Sequence, residues 1–255
     1  MSAADRLAPR EFAAGVHVIA ARELGAYFDS SIAYVFLVTS SLLANFVFTN
    51  RFFLEGHAEM TAFFELMPPL LAVFLPAVTM RLWAEESKQR TLELLLTLPI
   101  RPLQAVLGKF LAAYGLFAAF VAGSLPIVAM LAVLGDPDGG RLLAGYLGLA
   151  LLGALFLAAG MFLSAFSGDQ IVAFVLTALL GAFLVLTGLE RIVAVLDGLA
   201  PALGVGSLLY ESVAVLPRYE SFVRGLVDLS AVLYFVLGTA AFLWANALVL
   251  ERRRA

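Results

Sequence analysis

The sequence predicts an all-α polytopic membrane protein. Its parts are six transmembrane helices, an N-terminal amphipathic interfacial helix and a cytoplasmic coupling helix. Three observations carry that reading. Of the 255 residues, 62% are hydrophobic and 14% charged, against roughly one half and one quarter in soluble domains. The apolar excess falls in blocks of about 20 residues, the length a helix needs to cross roughly 30 Å of hydrocarbon. Lys and Arg are divided unequally between the two sides that such blocks define.

Residues 6–27 form the first element. Phe12, Val16, Ile19, Ala20 and Tyr27 recur at helical spacing, interrupted by Arg10, Glu11, His17, Arg22 and Glu23. That pattern describes an amphipathic helix along the inner membrane surface. No A-x-A-like cleavage site follows the first apolar block, so the start does not read as a signal peptide. The turn Asp29-Ser30-Ser31 leads into the first span, 28–48. The second span, 62–82, contains Pro68, Pro69 and Pro76, which predict a kinked helix. The third, 104–134, is longer than needed and is expected to tilt, to bend at Pro126 or to project from the membrane. The fourth, fifth and sixth spans are 142–166, 170–190 and 228–250.

Two connections are more than reversals. Residues 83–102 read as a cytoplasmic loop with a short helix, stopped by Pro99 and restarted at Pro102. Its leucines need a partner to cover them. Residues 191–227 mix apolar stretches with Gly, Pro and a few charges, which suggests short re-entrant helices at the outer leaflet. The whole chain, 1–255, reads as a single membrane domain.

An even span count puts both ends on one side. That side holds Arg6, Arg10, Arg22, Arg81, Lys88, Arg90, Arg101, Lys109, Arg252, Arg253 and Arg254. The other holds Arg51, Arg141, Arg191, Arg218 and Arg224, and the two sets account for all 16 basic residues. The ends are therefore assigned to the cytoplasm.

Several function classes are poorly served. A net charge of −3 without a basic face speaks against nucleic acid. Cysteine is absent, so no thiol site is expected. His17 and His57 are the only histidines. His57, Glu59 and Met60 lie close together, yet no second cluster completes a metal shell. Ser124 follows Gly123, but no span supplies a histidine base. Glu65 lies near an outer span end, and Glu190 and Arg191 at another, whereas ion-coupled carriers place carboxylates deep in the membrane. Gly108-Lys109 lacks the phosphate-loop pattern, because Leu103 stands at the required glycine and Phe110 follows the lysine. No catalytic, cofactor or metal residue is therefore assigned to this chain. Gly115, Ala119 and Gly123, and Ala150, Ala154 and Ala158, recur every four residues, which suits packing inside one subunit or a dimer seam.

The segments Met80-Arg81-Leu82-Trp83-Ala84-Glu85-Glu86, Thr91-Leu92-Glu93-Leu94-Leu95-Leu96-Thr97-Leu98-Pro99 and Val106-Leu107-Gly108-Lys109 resemble the cytoplasmic loop of ABC-2 type permeases. The gliding-motility Gld F-like group is the most similar. Its opening is matched by Ala21 to Phe28 and Ser31 to Phe36, a span turn by Asp169 to Ala173, and the run before the last span by Tyr219 to Asp228. The resemblance implies a non-catalytic permease of an exporter in the bacterial inner membrane. It implies pairing with a second permease subunit and with two ABC ATPase subunits that bind ATP and Mg. The N-terminal helix and the loop helix would dock on those ATPases. Carried over, Glu85, Glu86, Thr91, Glu93 and Leu94 belong to the coupling element. Arg90 stands where glycine is common, a departure that bears on the local turn or the ATPase contact. Alternatives are an ABC-type assembly doing mechanical or regulatory work on an envelope partner, and a membrane scaffold without an ATPase.

Overall fold

The structure, a computed structural model, describes residues 9–55, 59–89, 101–135, 137–199 and 203–254. Among these residues every regular element is an α-helix: α1 (Pro9–Phe28), α2 (Ser31–Glu55), α3 (Thr61–Thr79), α4 (Arg81–Lys88), α5 (Pro102–Ala122), α6 (Leu125–Leu134), α7 (Gly139–Phe166), α8 (Gln170–Leu186), α9 (Glu190–Leu199), α10 (Val205–Ser212), α11 (Leu216–Val223) and α12 (Leu229–Arg254). Five stretches are long and apolar enough to cross a membrane: Ala33–Leu54, Thr61–Lys88, Pro102–Leu134, Gly139–Phe166 and Leu229–Arg253. A sixth is reached when α8 is counted with α9, which turns away from it by 89°. The chain is a multi-pass membrane protein.

Two features refine the expected spans. The second continues past its expected end, because α4 follows α3 in one apolar stretch of 28 residues. The third is divided after Ala122, and Pro126 sits in the first turn of α6, where a missing N–H breaks no helical bond. Ser124 is used at this joint, donating to the Val121 carbonyl at 2.7 Å and pairing with the Tyr146 hydroxyl at 2.7 Å.

The centre is α7, the most buried span. It is built to be approached, since glycines stand where neighbours press in. A Cβ at Gly145 would lie 2.4 Å from the Phe64 ring, one at Gly148 would lie 2.5 Å from Phe222, and one at Gly153 would lie 2.3 Å from Phe117. Helices α3, α11 and α5 thus seat aromatic side chains on the α7 backbone. Of the four-residue alanine row, Ala158 is buried, and the Ala150 carbonyl accepts from the Tyr114 hydroxyl of α5 at 3.3 Å.

The α1 pattern is used differently from the sequence expectation. Rather than facing only a membrane surface, α1 lies alongside the first half of α5, running in the same direction. Gln104 donates to the Phe12 carbonyl at 3.2 Å. Gly108 lies under Val16 and Ile19, and Gly115 under Leu24. The absence of side chains at 108 and 115 lets the two helices meet closely, which explains why the apolar face of α1 turns to α5.

The prolines of α3 each remove one helical donor. Pro68 leaves the Phe64 carbonyl without its partner four residues on, and the buried Tyr219 hydroxyl of α11 donates to it at 3.1 Å. Asp138 caps α7 near that same end, and Asp169 caps α8 at the opposite end of the bundle, both through their side chains.

Candidate functional site: the Lys109 junction

The residues expected to couple this chain to a partner lie at or beyond the end of α3. Arg90, Thr91, Glu93 and Leu94 fall outside the described residues. Glu85 and Glu86 are on α4, a helix of eight residues that buries Leu82, Trp83 and Ala84.

Starting a new helix at Arg81 leaves N–H groups without helical acceptors. Ser164 of α7 meets this need. Its hydroxyl accepts from the Trp83 and Ala84 N–H groups, both at 3.2 Å, and donates to the Met80 carbonyl at 3.0 Å. One small side chain therefore fixes α4 to the central helix.

The other sides of α4 carry charges inward. Arg81 donates to the Ser30 hydroxyl at 2.7 Å and packs 5.3 Å from the Tyr27 ring, tying α4 to the turn between α1 and α2. Tyr27 in turn donates to the Val78 carbonyl at 2.9 Å. Burial pushes the Tyr27 hydroxyl pKa up, and the Arg81 charge only partly opposes that. The hydroxyl is a permanent donor here. Glu85 pairs with Arg81 at 3.4 Å and accepts from Gln89 at 3.3 Å, remaining partly exposed. Lys88 approaches Asp169, the α8 cap, at 3.8 Å.

Glu86 leads to the centre of the arrangement. Its carboxylate lies 2.8 Å from the Lys109 ammonium of α5, which also lies 3.2 Å from Glu23 of α1. Lys109 is 2% exposed and sits 5.1 Å from the Trp83 ring centroid. Three helices thus converge on one buried cation, whose charge is met by two carboxylates and an aromatic face. Burial alone would raise the Glu23 pKa. The Lys109 charge and the hydrogen bond from Arg22 outweigh it, so Glu23 is held below the ordinary carboxylate range. A cation bound this way cannot be removed without leaving buried negative charge.

Sequence reasoning missed most of this site. Lys109 was visible as a lysine within a long apolar block, a position that demands partners. It was weighed as a cytoplasmic-side charge, as part of an absent phosphate loop and within the family resemblance, and never as a buried partner of carboxylates. Glu23 was read as an interruption of an amphipathic face, and Ser164 gave no local signal.

The opposite end of the bundle has a wider opening. A cavity of about 460 Å³ lies between α3, α7 and α11, with Glu65, Arg141, Glu220 and Arg224 on its walls. Arg141 donates to Glu59 at 2.8 Å and to the Val223 carbonyl at 3.2 Å. Among the described residues no three His, Cys, Asp or Glu side chains gather as a metal site would require. His57 lies outside them.

Fold and junction together define a helical, multi-pass membrane protein with a buried charged junction between three of its helices. The sequence matches the model of the ABC-2 family transporter proteins over residues 27–207, and the chain belongs to that family. The matched segment includes Trp83, Glu86, Lys109 and Ser164 but begins after Glu23. Membership makes the chain a permease-type subunit of an ABC transporter. Among curated proteins none matches the sequence.

Proposed function

We propose that this chain is the permease of an ABC exporter, resembling the Gld F-like group, and that the Lys109 junction couples it to separate ATPase subunits. The observation that carries this reading is the sharing of Lys109 between Glu23 of α1 and Glu86 of α4. The partner ATPases bind ATP and Mg, since no phosphate-loop pattern surrounds Gly108-Lys109. A second permease subunit completes the pair that two ATPases require. Both termini lie in the cytoplasm and the membrane is the bacterial inner membrane, in line with the uneven division of Lys and Arg.

Closure of the ATPases on ATP displaces α1 and the 83–102 segment. Lys109 passes the displacement to α5, Ser164 passes it to α7, and Arg81 passes it to the start of α2. One ammonium held by two carboxylates on separate helices has two arrangements. In one both bonds are kept, and in the other α1 and α4 have moved apart and one is lost. Such an element supplies the bistability that ATP binding biases. At the outer end, α9 and α10 cap the exit. Support for this comes from Asp197, which accepts from the Gly206 and Ser207 N–H groups at 2.6 and 3.2 Å and so ties α9 to α10.

The test is a pull-down in mild detergent from the native host, with an ATP analogue present. The native chain is expected to recover an ATPase and a permease partner, and replacing Glu85, Glu86 and Glu93 together by Ala is expected to reduce that recovery. A folded Lys109→Met chain is expected to recover the ATPase while its turnover no longer responds to the membrane subunit. If the well-folded native chain recovers no ATPase, the exporter reading fails and a scaffold role replaces it.

A further inference from the structure

We infer that Thr177 of α8 and one water molecule complete the hydrogen bonding of the Ala72 carbonyl, making a small polar site where Pro76 interrupts the hydrogen bonds of α3. This inference is independent of the proposed function.

Pro76 has no N–H, so the Ala72 carbonyl loses the donor that would stand four residues on. In hydrocarbon an unsatisfied backbone carbonyl costs several kcal/mol. The kinks of membrane helices persist because side-chain hydroxyls or ordered waters take up the freed groups. The same helix shows the rule at work: Pro68 frees the Phe64 carbonyl, and the Tyr219 hydroxyl donates to it. The Leu75 carbonyl, beside Pro76, accepts from Thr79 at 3.2 Å.

The Ala72 carbonyl faces α8. A Cβ added at Gly181 would lie 3.4 Å from its oxygen, and Thr177 stands one turn earlier on the same face of α8. Thr177 is 5% exposed, and its hydroxyl is buried with no hydrogen-bond partner among the described residues. A freed acceptor and an unused donor thus line one cavity, together with Pro76, Phe156 and Gly181. The accessible volume is about 10 Å³, which is at the lower limit for a single water by that measure. Every other wall is apolar, so the cavity suits one small polar molecule and no ion. The site sits on α3 between the Tyr219 contact and the end of the helix that leads to α4.

The experiment is a double-mutant comparison on the full chain, purified with its native partners and placed in nanodiscs. Thr177→Val keeps the shape and removes the hydroxyl, and is expected to lower the melting temperature by about 2–4 °C. Thr177→Ser keeps the hydroxyl and is expected to leave it unchanged. In a Pro76→Ala background the restored N–H reaches Ala72, so Thr177→Val is expected to have no further effect there. An equal shift in both backgrounds overturns the link between Thr177 and the carbonyl freed by Pro76. Should Pro76→Ala fail to fold, equal melting of the Val and Ser variants at position 177 overturns it instead. A map that resolves waters is expected to show one peak within hydrogen-bond distance of both groups. A direct hydroxyl–carbonyl contact with no peak removes the water from the site.

Discussion

The two ends of this molecule use the same ion-pair chemistry to opposite effect. At the Lys109 end, a cation 2% exposed is held by carboxylates from two other helices. At the Arg141 end, Arg51–Glu65, Arg141–Glu59 and Arg224–Glu220 are all substantially exposed to solvent. Exposed pairs contribute about 0–1 kcal/mol, because water already solvates each partner. A buried pair that loses one partner costs about 3–5 kcal/mol, since the remaining charge has nowhere to go. The comparison teaches that the Lys109 end is joined through buried charge, while the Arg141 end rests on solvent-exposed pairs around its cavity.

The sharpest way to break this contrast is Lys109→Met. It removes the ammonium that Glu23 and Glu86 share, and a destabilisation of up to about 3–5 kcal/mol is expected in thermal unfolding. Adding Glu23→Gln and Glu86→Gln to that variant is expected to recover much of the loss. If Lys109→Met alone melts like the native chain, the junction is not electrostatic in origin.

Acid probes the same end more gently. The Glu23 pKa is lower in the folded protein than its ordinary value of 4.5. Its contribution to stability is therefore present above that value and is lost as pH falls through the depressed folded pKa. Melting temperature should hold down to about pH 4.5 and fall below it, and Glu23→Gln should flatten that part of the profile. A profile unchanged by Glu23→Gln would remove this residue from the junction.

A local effect is expected at the outer end. Asp197→Ala removes the acceptor of the α10 N-terminus. Amide exchange at Gly206 and Ser207 should accelerate with no change in the melting of the bundle. Loss of global stability would show that α9 and α10 are part of the core. The smallest effect belongs to Arg224→Gln, which breaks an exposed pair one helical turn in length. A change of no more than about 0.5 kcal/mol is expected in the same unfolding assay.

The spans were legible because they depend on length and hydropathy, which are local properties. What escaped was long-range pairing. Residues 83–102 read as a cytoplasmic loop with a short helix, yet α4 extends the second span and turns Glu86 inward. Its partners come from distant positions: Ser30 is 51 residues from Arg81, and Ser164 is 81 from Trp83. No window along the chain contains both halves of such a contact. The fifth span was legible in place but not in shape. Its end is set by Gly188, where a Cβ would lie 2.7 Å from Leu216, a neighbour that only the folded chain supplies.

That corner has a consequence for the lipid around the protein. Helix α8 has 17 residues and rises about 25 Å, short of a hydrocarbon layer of roughly 30 Å. Beyond it the chain turns sideways, with Val195, Leu199 and Leu203 exposed. A bilayer that thins to meet that edge carries a dimple on one flank of the protein. Shorter-chain lipids should therefore suit this subunit better than long ones, and a melting temperature measured across a series of acyl lengths reads the depth of that dimple directly.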